Sequence, residues 1–250
     1  AYLLVMVGIG FYFARRSRTT KDFFLAGRRI PWWAATLSIF CTYLSGVTFM
    51  GIPAKAFDEN WSSILFNVAI ILVSPITVFC FIPFYRRLKV TTIYEYLEKR
   101  FSPGLRVYGS LTFMIFQLGK MGVFLLLPAL ALSEVTGFNV HLCIGIMGLI
   151  CIVYTVLGGI EAVIWTDVLQ SLVLVGGGIL CIGVILSAEH FDMGYIMSVA
   201  APEEANKFYI GDPATFKFWH LLLGACCIQL VAFTSDQAVA QRFLTTPDQK

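Results

Sequence analysis

Charge is what this sequence lacks. Asp, Glu, Lys and Arg make up 13% of its 250 residues, against about 25% in soluble domains. Hydrophobic residues make up 58%, and the mean hydropathy is +0.80. That shortage excludes an ordinary soluble domain and identifies an integral membrane protein. The net charge of +3 says little by itself, and no nucleic-acid partner is expected. Histidine is equally scarce: His141, His190 and His220 are scattered near span ends and offer neither a metal site nor a catalytic dyad. With no nucleophile–base pair or metal cluster at depth, an intramembrane enzyme is disfavoured. The seven cysteines all lie within apolar runs and none has metal-ligand spacing with His. They read as small buried residues and not as a disulfide framework. Residue 1 is not Met, and the opening residues do not read as a signal peptide with a cleavage site. The chain opens at Ala1 inside an apolar run and stops at Lys250 in polar sequence, and is expected to be a piece of a longer protein.

What is abundant is apolar sequence. A hydrocarbon core of about 30 Å takes about 20 helical residues. Seven spans follow, the first of them incomplete: Tyr2–Ala14, Pro31–Phe57, Ser62–Tyr85, Val107–Ser133, Val140–Leu157, Ala162–Ala188 and Phe218–Ala240. Basic residues gather in two loops. One holds Arg15, Arg16, Arg18, Lys21, Arg28 and Arg29; the other holds Arg86, Arg87, Lys89, Lys99, Arg100 and Arg106. Two spans separate these loops, so both lie on one side, which the positive-inside rule makes cytoplasmic. The Gly158-Gly159 turn and the tail Gln241–Lys250 then face the same side. The loops 58–61, 134–139 and 189–217 face outward and carry Asp58, Glu59, Glu134, Glu189, Asp192, Glu203 and Glu204. Trp32, Trp33, Trp61 and Trp219 fall at span ends, where aromatic belts form. The expected location is a multi-pass protein of the plasma or inner membrane.

Two features break the apolar pattern. Lys120 sits mid-span in FQLGKMGVFLLLPAL, where a charge costs roughly 2.5–3.5 kcal/mol and needs a partner or a wet cavity. Either it pairs with a carboxylate or carbonyl on a neighbouring helix and holds the bundle together, or it faces a substrate path and meets an anion there. The second feature is span 31–57, whose middle reads CTYLSGVTFMGIP. Gly and Pro weaken a helix, and hydroxyl side chains compete for its backbone. Unwound backbone at this depth is tolerated only where protein buries it or it lines a cavity. It then frees carbonyls for a cation and amides for an anion. A small-residue packing face is the other reading.

The segments DFFLAGRRIPWW, TTIYEYLEKRFSP, YTVLGGIEAVIWTDVLQ and SDQAVAQRFL occur in this order along nearly the whole chain. The sequence resembles the sodium:solute symporter family, which includes the Na⁺/glucose, proline, pantothenate, iodide and sialic acid cotransporters. CTYLSGVTFMGIPAKAF and FQLGKMGVFLLLPALAL are most similar to its sialic acid branch. The resemblance implies an all-α, leucine-transporter-like fold: an inverted repeat of five helices preceded by an extra helix. Residues 1–14 would be that extra helix, 31–188 the first repeat and 218–240 the start of the second. It implies Na⁺-coupled symport of a small organic solute by alternating access, with partners limited to solute, sodium ions and the bilayer. A carboxylated solute such as sialic acid is the first expectation. A symporter-like sensor domain of a membrane histidine kinase, or a symporter for another solute, would look the same over this length.

Residue by residue, the resemblance places the common sodium site on the backbone carbonyls of Cys41 and Leu44, and a second sodium on Asp167. Without it, Asp167 reads as a boundary residue or a cap partner of Thr166 and Gln170. Ser45 and Thr48 match hydroxyls that meet the solute in the sialic acid branch. Tyr43 stands where that branch has Thr, and Lys120 where it has Arg. A Lys is a point charge, whereas Arg offers a planar fork, so a different acid could be accepted. Asn67 is the candidate for a further polar wall group, with helix glue as its alternative. Arg242 reads as a boundary charge that snorkels, as does Lys55. Asp236 could pair with Arg242 only if the helix between them bends.

Overall fold

The computed structural model describes residues 2–15, 19–88, 90–188, 210 and 212–247. Arg16, Arg18, Lys89, His190 and the acidic residues of the 189–209 segment lie outside the described residues. Among those described, all regular structure is helical. Helix α1 is Tyr2–Ala14 and α2 is Thr20–Leu25, capped by the Thr19 hydroxyl on the Asp22 amide. A tight turn of positive φ at Ala26, Gly27 and Arg28 leads to α3, Trp32–Tyr43.

The first expected break is present. Helix α3 stops at Leu44, whose backbone is extended (φ −89°, ψ 94°). A π-helical turn at Val47–Gly51 leads into α4, Ile52–Asp58, and the two halves of the span are bent by 62°. The next span runs as α5 (Ile64–Ile76), a π-helical turn (Thr77–Phe81) and α6 (Ile82–Leu88). Pro75 and Pro83 flank that turn. Each lacks the N–H that the preceding helical carbonyl requires, and wider winding accommodates the loss.

The polar segment 91–103 contains a helix and is not only a loop. Helix α7, Ile93–Arg100, starts at Thr92, whose hydroxyl accepts the Glu95 amide, while the Glu95 carboxylate accepts the Thr91 amide. This is close to a capping box. Lys99 lies 2.7 Å from Glu95 and holds its carboxyl below the usual range. Helix α8, Pro103–Thr136, is capped by Ser102 and ends on left-handed Gly137. Helix α9, Val140–Ala188, is folded at Gly159 (φ 62°, ψ −162°), so its two arms are the spans expected on either side of the Gly158-Gly159 turn. A residue with a Cβ is strained at that φ, and a Cβ there would also lie 2.9 Å from the Phe23 carbonyl.

The last span is not continuous, in contrast to the expectation for 218–240. Helix α10 is Phe216–Thr234, and Asp236 caps a separate helix α11, Gln237–Thr245. An Asp at this point satisfies the first free amides of a new helix, which favours a fresh start over continuation.

Helix α1 packs on α9, α3 on the second arm of α9, α10 on α5, and α8 on α9. Small residues permit the closest contacts: Ala34 and Ala35 are buried against Ile164 and Val168. At Gly10 a Cβ would lie 2.8 Å from the Cβ of Tyr154. Among the described residues four helices, counting the two-armed α9 as one, are long and apolar enough to cross a bilayer, and the bent pair of α3 and α4 passes the same test as one further span. Their outer faces expose Ile71, Phe79, Ile115, Leu118, Ile179 and Leu180. Apolar surface on that scale is stable only against lipid or further protein. The two basic loops and the α11 end share one side of the bundle, since Arg86 donates to the Thr246 carbonyl at 3.2 Å, Ile30 N–H to Thr245 at 3.3 Å, and Gln241 to Phe24 at 2.8 Å.

Candidate functional site

The break after α3 leaves backbone groups open. Leu44 N–H still donates to Phe40, but among the described residues no backbone N–H donates to the carbonyls of Cys41, Thr42 or Leu44. The neighbouring hydroxyls are engaged locally. Thr48 Oγ1 donates to the Tyr43 carbonyl at 3.0 Å and lies 3.3 Å from Ser45 Oγ, which accepts the Thr48 amide. Side chains that bond to nearby backbone compete with helix continuation, which is why the chain unwinds here. Gly46 makes the break fit against α8: a Cβ at this position would lie 2.6 Å from Pro128 Cγ. The structure therefore brings Cys41, Tyr43, Leu44, Ser45 and Thr48 together. Asn67 does not join them. It lies exposed on α5 and makes no hydrogen bond to any of the other candidates among the described residues.

The second break lies beside the first. The Tyr43 hydroxyl donates to the Ala232 carbonyl at 2.8 Å, and its ring stacks on Phe233 at 4.8 Å. Three residues on, Asp236 Oδ1 accepts the Ala238 amide at 2.8 Å, while Oδ2 lies 3.9 Å from Lys120 Nζ. Lys120 also sits 5.3 Å from the Phe124 ring centre. The break lies at Ser235, ahead of Asp236, so no bend separates Asp236 from Arg242, and these two residues do not pair. Asp236 faces Lys120 instead.

Arg242 has a different partner, and it does not snorkel. It is 7% exposed. Its Nη2 donates to Asp167 Oδ2 at 2.8 Å, its Nε to Ser38 Oγ at 2.5 Å, and its Nη1 to the Ala238 carbonyl. Ser38, fully buried, donates in turn to the same Asp167 oxygen at 2.5 Å. The knot pairs the buried guanidinium with one carboxylate oxygen and the Ser38 hydroxyl, which offsets much of the cost of burying the charges. It also leaves Asp167 Oδ1 without a hydrogen-bond donor among the described residues. Thr166 bonds to the Val163 carbonyl and not to Asp167. Lys55 pairs with Glu59 at 3.8 Å on an exposed surface.

Sequence reasoning missed Ser38 and misplaced two groups that it named, Arg242 and Asp236. Ser38 and Arg242 carried no local signal, because their partners lie far along the chain. Asp236 did carry one: a capping residue directly before an amphipathic stretch. Gln237, whose side chain accepts the Ile93 amide at 2.8 Å, follows from the same helix start.

The geometry can be set beside known proteins. Residues 23–250 match the model of the sodium:solute symporter family. The sodium/sialic acid symporter NanT of Aliivibrio fischeri is 39% identical over 98% of this chain and 49% of its own length. The sodium/sialic acid symporter SiaT of Proteus mirabilis is 39% identical over 98% and 50%. A solved Na⁺-coupled sialic acid symporter, in a substrate-bound outward-open state, superposes with a TM-score of 0.87 at 37% identity, covering 99% of this chain and 53% of that one. The chain thus spans about half the length of the relatives it matches. Two interrupted helices meeting at the depth of one lysine, within a bundle that superposes this closely, agree with the match over 23–250: the chain belongs to the sodium:solute symporter family.

Proposed function

We propose that the protein of which this chain forms part is a Na⁺-coupled symporter of a small carboxylated solute, with sialic acid as first choice, acting by alternating access. Transport, not catalysis, is its activity, and the plasma or inner membrane its location. The observation that carries this reading is the meeting of two helix breaks, 43–48 and 234–236, beside Lys120. Half-helix ends present unpaired carbonyls to cations and amides to anions. The carbonyl oxygens of Cys41 and Leu44 suit a hard cation such as Na⁺, and no backbone donor competes for them among the described residues. The missing ligands would come from sequence beyond this chain. Asp167 offers its free Oδ1 to a second sodium. Ser45, Thr48 and Tyr43 form one wall of the solute path, with Asn67 as a more distant candidate, and the Lys120 ammonium meets the carboxylate. That both α3 and α10 are interrupted supports reading 31–188 as one repeat and 218–240 as the opening of its counterpart.

The test is uptake of radiolabelled N-acetylneuraminic acid by the full-length protein in proteoliposomes. An inward Na⁺ gradient should be required. Equal uptake in choline would refute symport.

A further inference from the structure

The mid-membrane charge is not one cation but a matched pair held slightly apart. Asp236 is fixed, because its Oδ1 caps α11 through the Ala238 amide. Its Oδ2 faces Lys120 at 3.9 Å, which is beyond hydrogen-bonding distance. An ammonium has three donors, and among the described residues none of them is within hydrogen-bonding reach of an acceptor. The pair is therefore close enough to neutralise, yet too far apart to saturate. A bare carboxylate arriving at Lys120 gains that partner but also faces the Asp236 carboxylate. A solute with a hydroxyl next to its carboxylate avoids this conflict. Its carboxylate takes the Lys120 donors while its hydroxyl donates to Asp236 Oδ2. An ammonium in that position would be attracted to Asp236 but repelled by Lys120, whose Nζ lies 3.9 Å from that carboxylate, and so would compete with Lys120 for it, whereas a hydroxyl can donate to Asp236 without that competition.

We infer that Lys120 and Asp236 together form a recognition site for a 2-hydroxy acid unit, and that Asp236 sets specificity against simple carboxylates. The inference rests on the reading that Lys120 faces the solute path. Nothing in it requires Asp236 to leave its capping position.

The experiment measures binding to the purified full-length protein in Na⁺ by calorimetry, with two probe pairs: N-acetylneuraminic acid against its 2-deoxy analogue, and lactate against propionate. A charge-assisted hydrogen bond predicts that the hydroxylated member binds about ten- to a hundredfold tighter. Asp236→Asn keeps a capping side chain but removes the charge, and should reduce that preference to about threefold, the scale of a neutral bond. Asp236→Ser, also a good cap, provides a second uncharged variant if Asn fails to fold. Equal binding within the pairs, or a preference unchanged in both variants, overturns the inference. If N-acetylneuraminic acid binds but its 2-deoxy analogue binds equally well, the inference falls and the sialic acid reading stands. If only lactate is preferred and N-acetylneuraminic acid does not bind, the inference stands and the sialic acid reading falls. No binding of any probe overturns both.

Discussion

The knot of Ser38, Asp167 and Arg242 gives the sharpest stability prediction. Its charged side chains are 8% and 14% exposed, and one carboxylate oxygen receives both the guanidinium and the Ser38 hydroxyl. Replacing Arg242 with Met keeps an unbranched apolar stem but leaves Asp167 as an uncompensated buried charge. Removing one partner of such a pair costs about 3–5 kcal/mol. Asp167→Asn alone should also destabilise, by leaving the guanidinium unpaired. The double variant Asp167→Asn/Arg242→Met removes both charges together. Its loss should fall short of the summed single losses by about 1.5–3 kcal/mol, the upper part of the range for directly contacting residues. Equilibrium unfolding of the full-length protein in detergent, followed by tryptophan fluorescence, measures all three. Additivity to within about 0.5 kcal/mol would refute the reasoning, because it would mean that Asp167 and Arg242 do not interact in the folded state.

Four further outcomes follow from the same geometry. Asp167→Asn should lower the Hill coefficient for Na⁺ toward one while uptake persists; an unchanged coefficient with normal expression would return Asp167 to a purely structural role. Lys120→Ala should weaken an acidic solute about ten- to a hundredfold, and Lys120→Arg should retain much of the affinity; normal binding by Lys120→Ala in calorimetry would make the lysine structural only. Gly46→Ala should destabilise by about 1–3 kcal/mol through overpacking on Pro128, read as a lowered unfolding midpoint. The Glu95 carboxyl is held below its unfolded value of 4.5 chiefly by its Lys99 hydrogen bond, so its stabilising effect is present above that value and is lost as pH falls through the folded one. The stability gap between wild type and Glu95→Gln should close on acidification, and a gap independent of pH would contradict this.

Much of the framework was legible in the sequence because it follows from local chemistry. Apolar run length placed the spans, Gly158-Gly159 placed the fold in α9, and the cluster CTYLSGVT placed the first break. The second break was hidden by an apolar run that continues to Phe233, although Ser235 and Asp236 carry the signature of a helix start. The site was legible only in part, for a different reason. The sequence marks Lys120 and Asp167 as costly charges but cannot say what neutralises them. Those answers come from Asp236 and Arg242, which only the seating of α11 on α3 brings near Lys120 and Asp167. Arg242 looked like a boundary residue because its position near a span end is compatible with snorkelling; burial decided otherwise.

The close seat of α1 has a consequence for biosynthesis. Gly10 is shaped to receive Tyr154, and the same face meets Gly158. At a translation rate of roughly 5–20 residues per second, about 7–30 s separate the synthesis of these two positions. During that interval the Gly10 notch lacks the Tyr154 side chain that it seats in the folded protein. The later helices do not need α1 to enter the membrane, since α8 and the arms of α9 carry enough apolar length of their own. A helix made early in this stretch is therefore late to find its partner, and it can close over the elbow of α9 only after both arms of that hairpin have inserted.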